Sequence, residues 1–393
     1  MNKISYFCGV DVAKDSFVAS IKNGRFLAKE KTFTMDRVGL KNFEQTIKRF
    51  KEDITVGMEP TGIYHNNLLN FLKARDYNSM VVNPYMLHQF FKFTNSKPTK
   101  TDKKDSRTIA EFLEFKKDKV GKNPGVMDER YSMRYFVREK ERITQTIAKT
   151  KTEIKRMLSL VFPEAEAVSG VFNKEFLGIL LEVGPASKIK SISKVKFIRK
   201  TEQLLNKGRG RKSKLCPDKI YELACCSIAA DYPDYEELLK IKIRRLNSLL
   251  EEREYITKLI AEKAQRLFKK EIEILCSIPG VGQESSIYLM AELVDIKRFS
   301  EWRKLIGFCG LDPIIKQSGK FKINCRISKR GNSHARRIAW IMAGCAKRSC
   351  PYFREYYLKK RTEGKSYKEA VIATSTKLLR TIYALLNENR CFR

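Results

Sequence analysis

The stretch ISYFCGVDV, residues 4–12, decides the fold, because it is a short apolar run of strand-forming residues that carries an acid, Asp11, near its end. The pattern continues in order with strand-like runs at 17–21, 26–33, 54–58 and 79–82 and helical stretches at 36–50 and 64–75. Strands first, then alternating strands and helices, predict an α/β domain around a mixed sheet.

The rest of the chain is predicted to be mostly helical. After a helix at 102–115, two long stretches at 133–161 and 235–269 carry apolar residues at four- and three-residue spacing. They predict a helical hairpin or coiled coil that links two domains, and two ordinary amphipathic helices on one domain are the alternative. The expected division is 1–125 for the α/β domain, 126–270 for the coiled-coil helices with a basic insertion at about 162–234, and 271–393 for a helical C-terminal domain.

The charge balance points to a polyanionic partner. The 393 residues include 79 Lys and Arg against 45 Asp and Glu, a net charge of +34. Each phosphate that a cation neutralises releases condensed counterions, so nucleic acid is favoured over an anionic membrane. We find neither a membrane-length apolar run nor a signal peptide, and expect a cytoplasmic protein without a membrane partner.

Cysteine and histidine spacing argues against a zinc site. The ten cysteines form no C-x-x-C pair, and there are only three histidines. We expect free thiols that mostly fill the core.

Four carboxylates stand at positions that suit a metal site. Asp11 and Glu59 each lie at the end of a predicted strand, and Asp102 and Asp105 lie on one face at a helix start. Several oxygen ligands are what Mg²⁺ prefers, with Mn²⁺ as a second possibility, and such ions assist phosphoryl displacement. Individually the acids have plainer interpretations, such as a turn, a surface acid and a helix cap; together they favour metal binding.

Two basic segments are candidate nucleic-acid contacts. Residues 187–214 hold eleven Lys and Arg and one acid, which predicts a flexible loop that orders on nucleic acid or, alternatively, a merely solvated loop. Residues 316–337 hold eight Lys and Arg and no acid, and predict a Gly-punctuated loop that leads into a helix and grips a DNA backbone. The expected contacts are Arg209, Arg211, Lys212, Lys316, Lys320, Arg326, Lys329, Arg330, Arg336 and Arg337.

The segment IPGVG, residues 278–282, lies between two helical stretches and resembles a helix–hairpin–helix. Backbone N–H groups near Gly280 and Gly282 would suit a phosphate, although a tight helix turn needs the same glycines. Ser318, in Gln317-Ser318-Gly319, is by composition alone more typical of a turn than of a nucleophile. Nearby His334 is more typical of a phosphate contact than of a base.

The motifs GVDVAKDS, MEPTGIYH, VVNPY, KTDKKDSRTIAEFL, SIPGVGQESS, FSEWRKLIGFCGLDP, QSGK and ISKRGN, in that order, resemble one family. It is the bridge-RNA-guided insertion-sequence transposases, which include the Piv-type DNA invertases. The resemblance covers residues 1–160 and 270–350.

The resemblance implies an N-terminal RuvC-like domain of the RNase H fold, whose D-E-D-D metal site falls on Asp11, Glu59, Asp102 and Asp105. It implies a C-terminal transposase domain whose catalytic serine falls on Ser318 and forms a covalent phosphoserine bond to DNA. It further implies a tetramer and a bridge RNA that pairs with double-stranded donor and target DNA.

One segment departs from the family, and two other functions stay open. The stretch at about 162–234 is longer than the family leads us to expect, and its charge predicts a nucleic-acid-binding insertion. A RuvC-type nuclease that hydrolyses DNA would need the four acids but not Ser318. A nucleic-acid-binding protein with an inactive site would need neither.

Overall fold

The computed structural model describes residues 5–26, 30–60, 63–82, 84–94, 102–116, 129–168, 170–205, 215–318 and 321–393. The chain forms two compact units, one made of Met1–Arg134 with Arg266–Arg393 and the other of Tyr135–Gln265. Each unit is built around its own buried apolar side chains.

The first unit opens with the predicted mixed α/β sheet. Its strands are β1 (Tyr6–Val12), β2 (Ser16–Asn23), β3 (Arg25–Phe26), β4 (Lys31–Thr34), β5 (Ile54–Met58) and β6 (Asn78–Val81). The sheet order is β3-β2-β1-β5-β6, and β4 also pairs with β2. β1 is antiparallel to β2 and parallel to β5, which is parallel to β6. The single strand predicted at 26–33 is therefore two short strands on one edge of β2.

Helices cover both faces of this sheet. They are α1 (Arg37–Ile47), which a short 3₁₀ turn (Lys48–Phe50) extends, α2 (His65–Lys73), α3 (Pro84–Thr94) and α4 (Asp102–Phe115). On one face Cys8 and Val10 pack with Phe43 of α1 and Leu68 of α2. On the other face Phe7 packs with Ile109 and Leu113 of α4 and with Leu87 of α3. The sequence pattern did not predict α3.

Helix α4 lies unusually close to the sheet at Gly9. A Cβ atom there would stand 2.1 Å from the Ser106 carbonyl oxygen and 2.4 Å from the Ala110 nitrogen. The Ser20 and Ser106 hydroxyls form a buried 2.8 Å hydrogen bond, and the Lys22 ammonium pairs with Glu114 at 3.0 Å. The contacts advance from Ser20 to Lys22 along β2 as they advance from Ser106 to Glu114 along α4, so α4 runs in the direction of β2. Because β2 is antiparallel to β1, α4 begins at the carboxyl end of β1.

The second unit contains the predicted helical hairpin. Helices α5 (Glu129–Val161) and α10 (Pro233–Leu267) meet where Lys242 Nζ contacts Glu153 at 2.6 Å and where Lys263 lies over the Phe136 ring. The residue numbers rise on one helix as they fall on the other, so the two helices are antiparallel.

The segment between these helices corrects the prediction of a flexible basic loop. A 3₁₀ turn (Pro163–Ala167) is followed by α6 (Lys174–Glu182), α7 (Ala186–Lys190), α8 (Lys194–Leu205) and α9 (Pro217–Cys225). Phe176 and Phe197 are fully buried there, so local apolar residues outweigh the basic composition of residues 187–205. Residues 206–214, with Arg209, Arg211 and Lys212, lie outside the described residues.

The C-terminal part of the first unit is mostly helical. It contains α11 (Lys269–Cys276), α12 (Gln283–Leu293), a 3₁₀ turn (Ile296–Arg298), α13 (Trp302–Cys309), β7 (Pro313–Ser318), β8 (Phe321–Ile327), α14 (Ser333–Ser349), α15 (Pro351–Thr362) and α16 (Tyr367–Glu388). β7 and β8 form an antiparallel hairpin, where the sequence predicted a loop. Composition concealed the hairpin, because its alternating cations mask the strand-forming Ile and Phe residues. In the described part of the chain, no helix has both the length and the apolar character to cross a bilayer.

Candidate metal and strand-transfer site

Asp11 and Glu59 lie side by side at the carboxyl edge of the sheet. The parallel register pairs Val10 of β1 with Met58 of β5, so the next residues along these neighbouring strands are the two acids. Gly9 and Gly57 precede the acids by two positions, and both face α4. Because side chains alternate along a strand, Asp11 and Glu59 lie on that same face.

The start of α4 brings a third acid to this edge. Asp105 precedes Ser106, whose carbonyl oxygen stands against Gly9, and Asp105 lines a cavity of about 340 Å³ together with Glu59. Asp102 is the first residue of α4, one turn before Asp105, and its side chain lies outside the described residues. The residues that line this cavity are Glu59, Pro84, Leu87, His88, Phe91, Asp105 and Thr108.

The oxygen donors at this edge suit a hard divalent cation. Asp11, Glu59 and Asp105 are carboxylates, which are the ligands that such a cation prefers. Thr108 also lines the cavity, but its hydroxyl donates to the Lys104 carbonyl at 2.8 Å. Among the described residues, no three His, Cys, Asp or Glu side chains stand close enough together to hold a metal ion. A complete set would therefore need the side chain of Asp102 as well, or the acids drawn together by the ion that they bind.

Two histidines near this edge carried no signal in the sequence analysis. His88 lies on α3 and lines the cavity, which only the packing of α3 on α4 through Phe90 and Phe112 decides. His65, at the start of α2, is 6 % exposed, and burial lowers the pKa of its imidazole. For the acids, the sequence does carry a signal. A glycine stands two residues before each of Asp11 and Glu59, and it marks where α4 packs on the sheet.

Ser318 belongs to a different part of the first unit. It is the last residue of β7 and pairs with Phe321 of β8, so it stands at the tip of the hairpin. Its side chain, Gly319 and Lys320 lie outside the described residues.

The base of this hairpin is held by a dense set of hydrogen bonds. The Ser328 hydroxyl donates to Asp312 Oδ1 at 2.6 Å, and the Ser328 N–H donates to the Asp312 carbonyl at 2.8 Å. The Lys329 N–H donates to the Gly310 carbonyl at 3.1 Å, with both residues in the left-handed region (φ 53° and 63°). The motif GLDP, where β7 begins, and the motif ISKRGN, where β8 ends, thus meet at the base of the hairpin.

Asn332 ties the hairpin base to the buried acid Glu292. Its side-chain carbonyl caps α14 by accepting from the His334 and Ala335 N–H groups, and its amide donates to Glu292 Oε2 at 2.6 Å. Glu292 has a fully buried side chain and also pairs with the Arg134 guanidinium at 3.3 Å. A buried carboxylate is tolerated because it is paired and hydrogen-bonded.

The predicted nucleic-acid contacts fall into different environments. Arg326, Lys329, Arg330 and Arg337 are exposed around the hairpin base and the start of α14. Arg336 is half-buried and donates to the Cys309 carbonyl at 3.0 Å, while burial raises the pKa of the Cys309 thiol to about 12. The side chain of Lys316 lies outside the described residues.

The two glycines of the predicted helix–hairpin–helix differ in their surroundings. A Cβ atom on Gly280, which has φ 88°, would stand 2.8 Å from the Cys345 carbonyl oxygen of α14. Gly282 caps α12 and has open space where a Cβ would lie. Close packing therefore accounts for Gly280, whereas the open side of Gly282 leaves room for a phosphate.

Comparison with family models agrees with this architecture. Residues 8–163, which contain all four acids, match the model of the DEDD transposase domain of the IS110 type, described as a transposase. Residues 272–358, which contain Ser318, match the model described as the transposase IS116/IS110/IS902 family. The acid-bearing strand edge thus lies within a RuvC-like DEDD domain of the transposase class. The chain belongs to the IS110/IS116/IS900 family of transposases, which is related to the pilin gene-inverting proteins.

Individual relatives align with the chain over a part of their length. A 42 kDa protein of insertion element IS900 from Mycobacterium paratuberculosis is 30% identical over 135 residues, 34% of this chain and 33% of the relative. The transposase of insertion sequence IS1111A from Coxiella burnetii is 30% identical over 33% of this chain and 37% of the relative. The pilin gene-inverting protein of Moraxella bovis is 28% identical over 30% of this chain and 38% of the relative. The aligned segments span only about a third of these curated relatives.

Proposed function

We propose that the protein is a DNA transposase or site-specific recombinase that mobilises an insertion sequence. The observation that carries this proposal is the convergence of two parallel strand ends, with Asp11 and Glu59, and of one helix start, with Asp105, on a single edge of the sheet. Glu59 and Asp105 line one cavity there. Four acids in this arrangement would repel one another without a cation between them. Mg²⁺, or Mn²⁺ in its place, would be held by Asp11, Glu59, Asp102 and Asp105.

In this proposal Ser318 is the nucleophile. Its hydroxyl oxygen forms a bond to the scissile phosphorus as the bond from phosphorus to the 3′ oxygen breaks, which leaves a 5′-phosphoserine and a free 3′ hydroxyl. The serine loses its proton and the departing oxygen gains one. A cation held by Asp11, Glu59, Asp102 and Asp105 would stabilise the negative charge on the phosphoryl oxygens. The hydrogen-bonded hairpin base supports this role, because it anchors the two strands that lead to Ser318.

The proposed partners follow from charge and from the names of relatives. The net charge of +34 and the exposed cations around the hairpin base support binding of double-stranded donor and target DNA. The Coxiella relative is named a transposase and the Moraxella relative a gene-inverting protein, which supports strand exchange rather than simple cutting. A bridge RNA, a homotetramer and a cytoplasmic location complete the proposal.

The decisive experiment looks for protein covalently joined to DNA. The wild type, Ser318→Ala and Asp102→Asn are each incubated with the DNA that flanks the element and with Mg²⁺, with and without RNA transcribed from beside the gene. The mixtures are then denatured and probed for labelled DNA that migrates with the protein.

An adduct that forms in the wild type and disappears in both variants supports the proposal. Cleaved DNA without an adduct, unaffected by Ser318→Ala and abolished by Asp102→Asn, would instead establish a RuvC-type nuclease. DNA binding without any strand chemistry would leave a nucleic-acid-binding protein with an inactive site.

A further inference from the structure

A second, larger cavity lies among the C-terminal helices, remote in sequence from the acids and from Ser318. Its volume is about 1130 Å³, larger than the roughly 300–1,000 Å³ of ordinary small-molecule sites. It opens between α15 and α16 and is also lined by Trp302 at the start of α13, by Ser277 and by Pro279 of the IPGVG segment. We call this cavity the C-terminal groove.

The side chains of the C-terminal groove combine aromatic rings with cations. Tyr352 and Tyr356 lie one helical turn apart on α15, and Lys377 and Arg380 lie one turn apart on the facing side of α16. Trp302 and Phe392 are the other aromatic residues of the groove. Among the described residues that line the groove, none is acidic.

Lys377 and Arg380 are positioned by rings instead of carboxylates, whereas Arg390, which also lines the groove, pairs with Glu388. Lys377 Nζ lies 3.8 Å from the centre of the Tyr352 ring and 4.4 Å from that of Tyr356. The Arg380 guanidinium lies 5.0 Å from the centre of the Trp302 ring. Within the described residues neither cation has a carboxylate partner, so both keep their positive charge available to an anion.

We infer that the C-terminal groove binds an unpaired polynucleotide strand. Lys377 and Arg380 would contact successive phosphates, and Tyr352, which is 48% exposed, would stack on a base with Trp302. Alternation of stacking rings with cations is the chemistry that recognises single strands, because every base offers a flat face once it is unpaired. In a base-paired duplex those faces are hidden, so a duplex would use only the cations.

This inference shares with the proposed function only that the ligand is a nucleic acid.

The experiment exploits the fact that the chain has two tryptophans, Trp302 in the groove and Trp340 on α14. In full-length Trp340→Phe, the remaining tryptophan fluorescence reports on Trp302 alone. Short oligo(dT), short oligo(U) and a mixed-sequence duplex are titrated into this protein without divalent metal.

The expected result is saturable quenching of Trp302 by single strands and much weaker quenching by the duplex. Comparison of oligo(U) with oligo(dT) identifies RNA or DNA as the preferred strand. In the reverse variant, Trp302→Phe, the fluorescence of Trp340 should change little. Absence of saturable quenching by both single strands, or equal quenching by the duplex, would overturn the inference.

Two substitutions with matched controls test the individual contacts. Lys377→Gln should weaken single-strand binding roughly fivefold and reduce the slope of log K against log salt by about 0.7. Lys368→Gln removes the same charge from the opposite, exposed side of α16 and should have a much smaller effect. Tyr352→Ala should weaken binding about tenfold or more, whereas Tyr367→Ala, at 49% exposure outside the groove, should not.

Equal effects of each variant and its control would show that only general charge attracts the strand, and would contradict the assigned groove. Thermal unfolding of all four variants confirms that each is folded. Because these measurements need neither metal nor strand cleavage, their failure would not bear on the Ser318 chemistry, and failure of the adduct experiment would not bear on them.

Discussion

At the scale of single residues, the proposed chemistry depends on the acids at the sheet edge. Asp105 reaches the cavity that Glu59 lines because Ser106, its neighbour, is anchored on Ser20 and against Gly9. The position of Asp105 is thus set by the contacts of its neighbour Ser106 with Ser20 and Gly9.

Asp105→Asn should reduce metal-dependent DNA strand cleavage by at least about 100-fold, the loss typical when a charge-stabilising group leaves an active site. DNA binding and the melting temperature should change little, because the amide keeps the shape of the carboxylate. Glu111→Gln, on the same helix but outside the cavity lining, is the matched control. Equal activity of the two variants would remove Asp105 from the proposed metal site.

Gly9 is the residue that permits the approach of α4. Gly9→Ala should lower the free energy of unfolding by about 3 kcal/mol, because its Cβ would collide with the Ser106 and Ala110 backbone. Gly178→Ala, at a helical glycine with open space around it, should have no such cost and serves as the control. Urea unfolding measures both, and equal stability of Gly9→Ala and wild type would contradict the close approach.

At the scale of elements, the β7–β8 hairpin depends on how the following helix begins. Asn332 caps α14, and it also satisfies the buried Glu292 carboxylate. The start of a helix and the base of a hairpin are therefore stabilised by one side chain. Disturbing it would affect both elements together.

Asn332→Ala should lower the free energy of unfolding by about 2–4 kcal/mol, since it removes a cap and leaves a buried carboxylate short of a donor. Ser366→Ala removes the cap of α16, which has no buried acid behind it, and should cost only about 1 kcal/mol. Thermal unfolding compares the two. If both variants lost the same stability, the bond from Asn332 to Glu292 would contribute nothing.

At the scale of the whole molecule, the excess of 34 positive charges governs how the protein meets DNA. In the proposed complex, exposed cations such as Arg330 near the hairpin base contribute to the electrostatic binding free energy where they contact the phosphates of the duplex. Affinity for any duplex should therefore depend steeply on salt and weakly on sequence.

Duplex affinity should fall by about 10³–10⁵ between about 50 and 200 mM salt if roughly 6–10 phosphates are contacted. Arg330→Gln should reduce the slope of log K against log salt by about 0.9, uniformly across sequences. Arg37→Gln removes an exposed charge from α1, on the sheet face opposite α4, and should leave the slope nearly unchanged. Fluorescence anisotropy at several salt concentrations gives both slopes, and identical slopes for Arg330→Gln and wild type would exclude a phosphate contact there.

The sequence by itself determined the mixed sheet, the antiparallel helix pair and the helical C-terminal region. Alternation along strands and four- and three-residue spacing along helices are local patterns, and burial of one face enforces them. The order of the motifs also determined the family, which the two family models confirm. The roles of Asp11, Glu59, Asp102, Asp105 and Ser318 stay predictions.

Only the tertiary structure decided which residues meet. The helical order of residues 186–205, the hairpin that carries Ser318, the cavity that joins His88 to Glu59 and the C-terminal groove all arise from contacts between distant segments. Basic composition predicted loops at residues 187–214 and 316–337. The prediction was made from charge alone, and charge does not indicate which distant residues an apolar face packs against. Periodicity is a property of neighbours along the chain, whereas a site is a property of neighbours in space.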